Sequence, residues 1–395
     1  MKFSKFFIPI ISAVFFAGCS DDVNKTSSNN DRHDIILTGR GDEIVEANNE
    51  FAFKLYGEVS DGKNNIVLSP LSLHQHLSMV ANGADGDTKK EIEALIGADG
   101  MSIDDINGIN YELVSSLKAS DKKTKISIAN SLWQCKDAGL IPSYLTTLDK
   151  YYSPEIHTMD VLSGDDTREA INRWCENMTS GVIKDFLEYN LDGTVKYVTY
   201  NATYFKSEWS TPFKSLPNEV FNNADGSTSS VDFMKADVIR CGYFENDKFT
   251  YLEIPYGNGS FVFTIVMPKG DNKIELEDIK SIEPMQEVIK ISIPKFKVDY
   301  KHSMKEALKE MGMITSFSEN ADFSKASKDS QPLPDILHAV SIEVDEKGTV
   351  AAAVSGSGYE AIMIPESLKI DRPFTFFIKE SSSSVILFIG EINKL

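Results

Sequence analysis

A segment of small side chains near the C-terminus, residues 345–363, most constrains what this chain can fold into. It follows an apolar run at 340–344 that has the composition of a strand. In an extended chain, alternate residues point to opposite faces of a sheet. From residue 349 onward, one set of alternate positions reads Thr, Ala, Ala, Ser, Ser and the other reads Val, Ala, Val, Gly, Gly. A flexible linker would favour Gly and Ser throughout. Because neither face carries bulk, the pattern predicts a segment that is exposed in one state and lies between two strands in another.

This segment resembles the hinge and reactive loop of the serpins, protease inhibitors that trap their target by loop insertion. Further serpin-like motifs follow in order along the chain. They are 65–73 (NIVLSPLSL), 82–88 (NGADGDT), 128–133 (IANSLW), 171–174 (INRW), 201–206 (NATYFK), 252–256 (LEIPY), 268–270 (PKG), 293–296 (IPKF) and 372–374 (RPF). The resemblance therefore covers nearly all of the chain after residue 45. It implies an α+β serpin fold with a large central, mainly antiparallel sheet, additional sheets, about eight to nine helices and an exposed reactive loop. We expect this body to be one domain, residues 45–395.

The N-terminus resembles the export signal of a bacterial lipoprotein. Lys2 and Lys5 precede an apolar run at 6–16, which is too short for a spanning helix. The run ends in Ala-Gly-Cys, so that residues 1–18 are predicted to be removed and Cys19 to carry lipid. An ordinary secretory signal with an incidental cysteine is the alternative. Residues 19–44, polar and rich in Ser, Asn and Asp, are predicted to be a disordered tether. Acidic residues follow the lipidated cysteine, and they resemble a tag that sends lipoproteins to the outer surface. The expected location is therefore the outer membrane of a Gram-negative bacterium, at the cell surface.

The charge of the chain excludes several partners. The formal net charge is −19, and loss of residues 1–18 would remove two lysines and no acid. This large net negative charge argues against nucleic acid or an anionic membrane as an electrostatic partner. Membrane attachment is therefore expected through lipid at Cys19 alone. We expect a monomer.

Neither a metal site nor a cofactor is expected. His74 and His76 are two residues apart, which places them on different sides of a helix. Cys135, Cys175 and Cys241 are widely spaced and show no metal-binding spacing. Buried thiols are predicted at these three positions, and the alternative is that two of them form a disulfide in an oxidising compartment.

A hydrolase is the enzymatic alternative, because Ser69, Ser72 and His338 supply a serine and a histidine. Neither serine has the flanking glycines of a nucleophile elbow. The resemblance instead places these three residues, with Asn201, in a buried polar cluster called the shutter, beneath the central sheet. We therefore expect no enzymatic activity of the chain itself.

The resemblance also assigns an inhibitory mechanism. Counting seventeen positions from Glu346 places the reactive bond between Ile362 and Met363, with Met363–Ile364 as the second choice. The expected hinge comprises Glu346, Gly348, Thr349, Ala351, Ala352 and Ala353. The expected shutter and breach, the latter at the top of the sheet, comprise Ser69, Ser72, Asn201, Trp209, Lys295 and His338. Glu346 is expected to pair with Lys295 beside Trp209. Thr349 and Ala351 should face inward on insertion, and neither is a proline or a large charge that would stall it.

The residues at the reactive bond predict the target class. Ile362, preceded by Ala361, suits an elastase-like or subtilisin-like serine protease with a medium apolar pocket, and not a trypsin-like enzyme. A papain-like cysteine protease is the second choice. A non-inhibitory serpin that serves as a binding or carrier protein is the alternative function.

We predict that Ile362→Arg redirects the protein toward trypsin-like targets, because their primary pocket carries a carboxylate that requires a cation. The measurement is residual activity of trypsin and of pancreatic elastase after incubation with each variant. Ala361→Arg, one position away, is the matched control. An unchanged target preference in Ile362→Arg would refute the assignment of the bond.

Overall fold

The computed structural model describes residues 32–97, 100–270, 272, 274–280, 282–348 and 367–395. The helices in this part of the chain are α1 (Gly41–Val59), α2 (Pro70–Ala81), α3 (Gly86–Leu95), α4 (Ile103–Ser120), α5 (Pro142–Tyr152), α6 (Asp165–Met178), α7 (Leu276–Lys280) and α8 (Lys305–Glu310). The strands are β1 (Ile66–Leu68), β2 (Lys125–Cys135), β3 (Glu155–Met159), β4 (Tyr197–Lys206), β5 (Lys214–Asn222), β6 (Thr228–Glu245), β7 (Phe249–Pro255), β8 (Phe261–Pro268), β9 (Met285–Pro294), β10 (Phe296–Ser303), β11 (Leu337–Val344), β12 (Ser367–Lys369), β13 (Phe374–Glu380) and β14 (Ile386–Ile392). None of the described helices combines the length and apolarity needed to cross a bilayer.

The largest sheet has nine strands and carries most of the apolar core. Its order is β1-β14-β13-β8-β7-β6-β9-β12, with β5 paired to β6 outside this path. Every pairing is antiparallel except that of β12 with β9. Strands β8, β13 and β14 are buried on both faces, as their near-continuous apolar runs predict. Each fully buried aromatic or aliphatic side chain there contributes about 1.5–3 kcal/mol. The predicted α+β fold, with a large, mainly antiparallel sheet and additional sheets, is confirmed.

A second layer is divided into two smaller sheets. One has the order β3-β2-β4, and the other pairs β10 with β11. Strand β11 lies beside β4. No backbone ladder joins Tyr197–Lys206 to Leu337–Val344, however, so that each of these edge strands is paired on one side only. We call this boundary between β4 and β11 the seam.

Helix α2 is the central support of the molecule. All twelve of its residues are buried, and it packs against β4, β14, α1 and α4. Pro70 occupies the first turn, where the missing N–H costs nothing. A helix buried on every side must pair its polar side chains internally, and α2 carries several of them at its N-terminal half. This requirement positions the site described below.

The folded body begins earlier than the predicted boundary at residue 45. Helix α1 starts at Gly41, and Ile44 is buried. Residues before the helix also contact the body: Ile35 N–H donates to Ser382 Oγ at 2.8 Å, and the Thr38 hydroxyl donates to Glu112 at 2.7 Å. The tether was predicted to extend to residue 44, but several polar groups between residues 32 and 40 are hydrogen-bonded to the body.

Candidate functional site

The chain beyond β11 makes a tight turn at one end of the seam. Asp345 and Gly348 exchange two backbone hydrogen bonds of 3.2 Å each. Gly348 has φ of 107°, a conformation that side chains disfavour. A Cβ at Gly348 would also lie 2.5 Å from the carbonyl oxygen of Ser207. Glycine is therefore required at this position for steric as well as conformational reasons.

Trp209 fastens this turn to the end of β4. Its indole Nε1–H donates to the Asp345 carbonyl at 2.8 Å, and its backbone N–H donates to the Lys347 carbonyl at 3.3 Å. Phe213 N–H donates to the Glu346 carbonyl at 3.2 Å. The indole is buried and stacks on Tyr256, with ring centroids 4.4 Å apart. The start of the predicted hinge is thus held in place because three of its successive backbone carbonyls accept hydrogen bonds from Trp209 and Phe213.

The ion pair expected between Lys295 and Glu346 is present at the same end of the seam. Lys295 Nζ lies 3.2 Å from Glu346 Oε1 and 3.5 Å from Asp232 Oδ2. Partial burial alone would raise the pKa of Glu346, but hydrogen bonds from its own backbone and from Lys295 outweigh it and lower that pKa. The pKa of Lys295 is raised by its two carboxylate neighbours, against the opposing effect of partial burial. Because each side chain is still about one quarter exposed to solvent, the pair contributes on the order of 1 kcal/mol to stability.

The N-terminus of α2 is hydrogen-bonded to both sides of the seam. On the β11 side, Ser69 N–H donates to His338 Nε2 at 2.9 Å. On the β4 side, the Ser72 hydroxyl donates to Asn201 Oδ1. Asn201 Nδ2 in turn donates to Asn130 Oδ1 on β2 at 2.8 Å. The Ser69 backbone N–H and the Ser72 hydroxyl, at one helix N-terminus, therefore connect two edge strands that share no ladder.

Three histidines in this region are buried: His338 within the cluster, and His74 and His76 on α2. Burial lowers the pKa of His338 to about 3 and the pKa values of His74 and His76 to about 4. Each ring has a hydrogen-bond partner: His76 Nε2 lies 2.8 Å from Thr199 Oγ1, and His74 Nε2 lies 3.0 Å from the Ile96 carbonyl. Because His338 Nε2 accepts from a backbone N–H, it must be unprotonated for the Ser69 bond to form.

The cluster does not have the geometry of a hydrolase. The Ser69 hydroxyl donates to the Leu387 carbonyl at 2.9 Å, and only its backbone N–H meets the histidine. The Ser72 hydroxyl donates to an amide oxygen, which is no general base. Within the described ranges, no group of three His, Cys, Asp or Glu side chains could hold a metal ion. Cys135, Cys175 and Cys241 are separate, buried thiols.

The structure brings most of the described candidate residues together along the seam. Ser69, Ser72, Asn201 and His338 meet at its middle. Trp209, Lys295, Glu346 and Gly348 meet at its end. The predicted hinge residues Thr349, Ala351, Ala352 and Ala353, the predicted bond Ile362–Met363, and Cys19 lie outside the described residues.

Sequence reasoning missed three participants. They are Asn130, which holds Asn201, Asp232, which shares Lys295, and His76, which bonds β4 from α2. Asn130 could have been found as one of two polar residues, with Ser131, in the otherwise apolar 128–133 motif. Asp232 lies in an exposed, alternating strand and gave no signal.

The sequence is similar to the serpins over almost its whole length. The profile of the family described as serpin (serine protease inhibitor) matches residues 46–395. The chain is 31% identical to Iripin-5 of Ixodes ricinus, over 89% of this chain and 95% of that protein. It is 28% identical to leukocyte elastase inhibitor A of Mus musculus, over 89% of this chain and 99% of the mouse protein. The fold is similar to the crystal structure of the thermophilic serpin tengpin in the native state, with a TM-score of 0.80 and 28% identity over 92% of this chain and 97% of tengpin.

We predict that Glu346→Lys promotes self-association on heating, because it replaces the ion pair with a repulsion and loosens the end of the seam. An unpaired edge strand is a template for another chain. The rate of oligomer formation, followed by size-exclusion chromatography, should rise about fivefold or more, as expected for loss of ~1 kcal/mol. Glu343→Lys, which reverses an exposed charge on β11, is the matched control. If Glu346→Lys stayed monomeric like the unmodified protein, the pair would have no role in keeping the seam closed.

We predict that the buried histidines make the protein sensitive to acid. The unfolded chain gains a proton at each histidine below about pH 6.5. The folded state resists protonation of His338 down to a pKa of about 3, so that stability falls as pH decreases between these values. Within this range, each such histidine lowers the free energy of unfolding by about 1.4 kcal/mol for every unit that the pH decreases.

The measurement is the free energy of unfolding in urea at pH 7.5 and pH 5.0. In His338→Gln, which keeps an acceptor for Ser69 N–H, the loss between these two conditions should be about 2 kcal/mol smaller. His33→Gln, at an exposed position, should behave like the unmodified protein. An undiminished loss in His338→Gln would contradict the prediction.

Proposed function

The chain belongs to the serpin family, and from this we propose that it is an inhibitory serpin that traps an elastase-like or subtilisin-like serine protease as a covalent acyl-enzyme. The observation that carries the proposal is the seam, at whose end the segment Asp345–Gly348 is folded. Two edge strands that lie side by side without a ladder can accept a further strand between them. The chain that follows Gly348 is composed of small residues that suit this position on both faces.

The trapping reaction begins as ordinary proteolysis. The target's catalytic serine attacks the Ile362 carbonyl, the bond to Met363 breaks, and the new amino terminus at Met363 leaves. The target is then esterified to Ile362. Freed at this end, the fifteen residues from Gly348 to Ile362 enter the seam as a strand. At ~3.3 Å per residue this strand moves the bound protease by about 50 Å.

The energy of insertion suffices to disable the target. A strand between β4 and β11 completes a ladder on both of its sides, and each hydrogen bond contributes about 1 kcal/mol net. About a dozen such bonds supply roughly 10 kcal/mol, which is comparable with the total stability of a protein. Distortion of the protease active site prevents hydrolysis of the ester. The inhibitor is consumed in the reaction, so that we propose no enzymatic activity for it.

Two further observations support this target class. The bond follows Ala361 and Ile362, which fit an apolar primary pocket of medium size. One relative, the mouse protein at 28% identity, is named an inhibitor of leukocyte elastase. A papain-like cysteine protease remains the second target class, and a non-inhibitory binding or carrier protein remains the alternative function.

The decisive test is incubation with pancreatic elastase and with subtilisin, followed by a denaturing gel and mass spectrometry. We expect a covalent band at the summed mass and a released peptide that begins at Met363. Clean cleavage with full protease activity remaining would make the chain a substrate and favour the non-inhibitory alternative. A covalent band with papain alone would reassign the target class.

A pair of hinge variants tests insertion itself. Thr349→Arg should convert the inhibitor into a substrate, because its side chain must enter the core as the strand inserts, and burial of an unpaired cation costs several kcal/mol. Val350→Arg, at the next position, should still trap the target, since that side chain faces outward. The measurement is the ratio of covalent complex to cleaved inhibitor on the same gel. Equal ratios in the two variants would contradict strand insertion.

We further propose that the protein acts at the outer membrane, anchored through lipid at Cys19, as a monomer with residues 1–18 removed. Labelling with a palmitate analogue in a Gram-negative host should mark the wild-type chain and leave Cys19→Ala unmarked. Cys175→Ala, which removes a buried thiol, is the control. Label on Cys19→Ala would refute lipidation at that residue. Added proteinase K digests the chain in intact cells only if it lies at the cell surface.

A further inference from the structure

One end of the nine-stranded sheet carries a row of lysines. Strands β5, β6, β9 and β12 are paired side by side there. Residues directly opposite each other in paired strands point to the same side of a sheet. One row of such paired residues runs across all four strands and consists of Lys214, Lys235, Ser292 and Lys369. Three ammonium groups therefore lie on one side of this part of the sheet.

Two further cations lie on the same side. Lys290 is two residues before Ser292 on β9, and residues two apart in a strand point the same way. Arg240 on β6 is paired with Val288, which is two residues before Lys290. We call this group of five side chains the cationic face: Lys214, Lys235, Arg240, Lys290 and Lys369.

The cationic face is on the solvent side of these strands. The side chain of Lys214 is 73% exposed, and Arg240 is also exposed. In the same strands, Ala236 and Ile291 are paired with each other, point to the other side and are buried. The cations are therefore accessible to a partner.

The cationic face has too few carboxylates to neutralise it. Lys214 Nζ lies 3.0 Å from Asp237 Oδ2, at a bulge of β6. The hydrogen bond from Lys214 lowers the pKa of Asp237, and the nearby charges of Lys235 and Lys290 lower it further. One carboxylate is thus shared among three ammonium groups.

This excess of positive charge is opposite to the balance of the whole chain. In the sequence, Asp and Glu outnumber Lys and Arg by 59 to 40. On the cationic face, five cations form ion pairs with only two carboxylates of the described residues, Asp237 and Glu219. Lys214 and Lys235 also lie directly opposite each other, and like charges in that position destabilise a pair of strands. A local conflict of this kind is typical of a functional surface, where a partner of opposite charge relieves it.

The cationic face lies close to the proposed reactive bond. Met363 is four residues before Ser367, so that their Cα atoms are at most about 15 Å apart. Ser367 begins β12 and is paired with Lys290. Neighbouring strands are about 4.8 Å apart, which places the backbone of Lys235 about 10 Å from β12. A protease domain of about 250 residues is about 45 Å across, so that one bound at the reactive bond can reach the cationic face.

We propose that the cationic face is a docking surface for the target protease, and that the target carries a cluster of carboxylates beside its active-site cleft. Since it rests on the proposed function, the docking surface adds to that function a charge requirement that the reactive bond alone does not express. Complementary charges at the rim of an interface act mainly on the rate of encounter, which they raise by about 10 to 10³-fold at low salt. The cationic face therefore selects among proteases that share the same apolar primary pocket.

Subtilisin whose surface lysines have been succinylated is the probe, because succinylation replaces ammonium groups with carboxylates. Its active concentration is set by active-site titration, and the second-order rate constant is taken from the loss of intact full-length chain. At an ionic strength of about 0.01 M, where the screening length is about 30 Å, Lys235→Glu combined with Lys290→Glu should lower this rate constant about tenfold or more. At about 1 M, where the screening length is about 3 Å, the variant and the unmodified protein should react alike.

The matched control is Lys54→Glu combined with Lys90→Glu, which makes the same change of charge on α1 and α3, outside the four strands. It should lower the rate constant less than about twofold. Lys235→Gln combined with Lys290→Gln should give about half the effect of the glutamate variant on a logarithmic scale, and circular dichroism confirms that each variant is folded. Equal slowing in the control would show an effect of net charge alone and overturn the docking surface, as would unchanged rates in both lysine-face variants.

A polyanion is distinguished by a separate binding measurement. Retention on immobilised dextran sulfate that Lys235→Glu with Lys290→Glu abolishes, together with unchanged protease rates, would overturn the protease as the partner and identify a polyanion instead. The rate constant counts trapped and cleaved chains alike, because both begin with the same encounter. Failure to trap subtilisin in the earlier experiment would therefore not count against the docking surface.

Discussion

The organisation of this molecule depends on one helix that bridges two strands lacking a ladder. Ser69 and Ser72 lie one turn apart at the start of α2 and reach β11 and β4, respectively. Two such hydrogen bonds contribute about 2 kcal/mol, far less than the ladder that could form there. The closed arrangement is thus held locally and weakly, while the surrounding nine-stranded sheet is packed continuously with buried aromatic side chains. Weak local closure within a firmly packed body allows two strands to separate without unfolding the rest.

The polar cluster on α2 could be predicted from the sequence, whereas the division of the second layer could not. Ser69 and Ser72 fall within an ordered series of serpin-like motifs, and the resemblance to that family placed them in a buried polar cluster. The absence of a ladder between β4 and β11 depends on contacts between residues more than 130 positions apart, which no local pattern reports. Residues 41–44 were assigned to the tether for a similar reason, since Ile44 is buried in a core cluster that includes residues far along the chain, such as Ile386.

The burial of α2 on all sides also explains which residues were overlooked. An amphipathic helix reveals its buried face by periodicity, but a helix that is buried all round has no such pattern. His74, Gln75 and His76 therefore gave no indication of which neighbours they meet. In the structure, His76 is paired with β4, and Gln75 Nε2 is buried without a hydrogen-bond partner among the described residues. The same helix thus contains a satisfied and an unsatisfied polar group one residue apart, and only the three-dimensional contacts distinguish them.

In the proposed mechanism, the inserting segment begins at the turn Asp345–Gly348. Opening of this turn would release the Asp345, Glu346 and Lys347 carbonyls from Trp209 and Phe213, a cost of about 3 kcal/mol for three hydrogen bonds. The Lys295–Glu346 pair adds on the order of 1 kcal/mol. The sum is smaller than the roughly 10 kcal/mol that a completed double ladder would supply, so that the proposed insertion would be favoured overall. These contacts act before any ladder bond has formed, however, and they oppose the first step alone. In the proposed mechanism, the Trp209 turn would therefore act as a kinetic lock at Gly348, where the inserting segment begins.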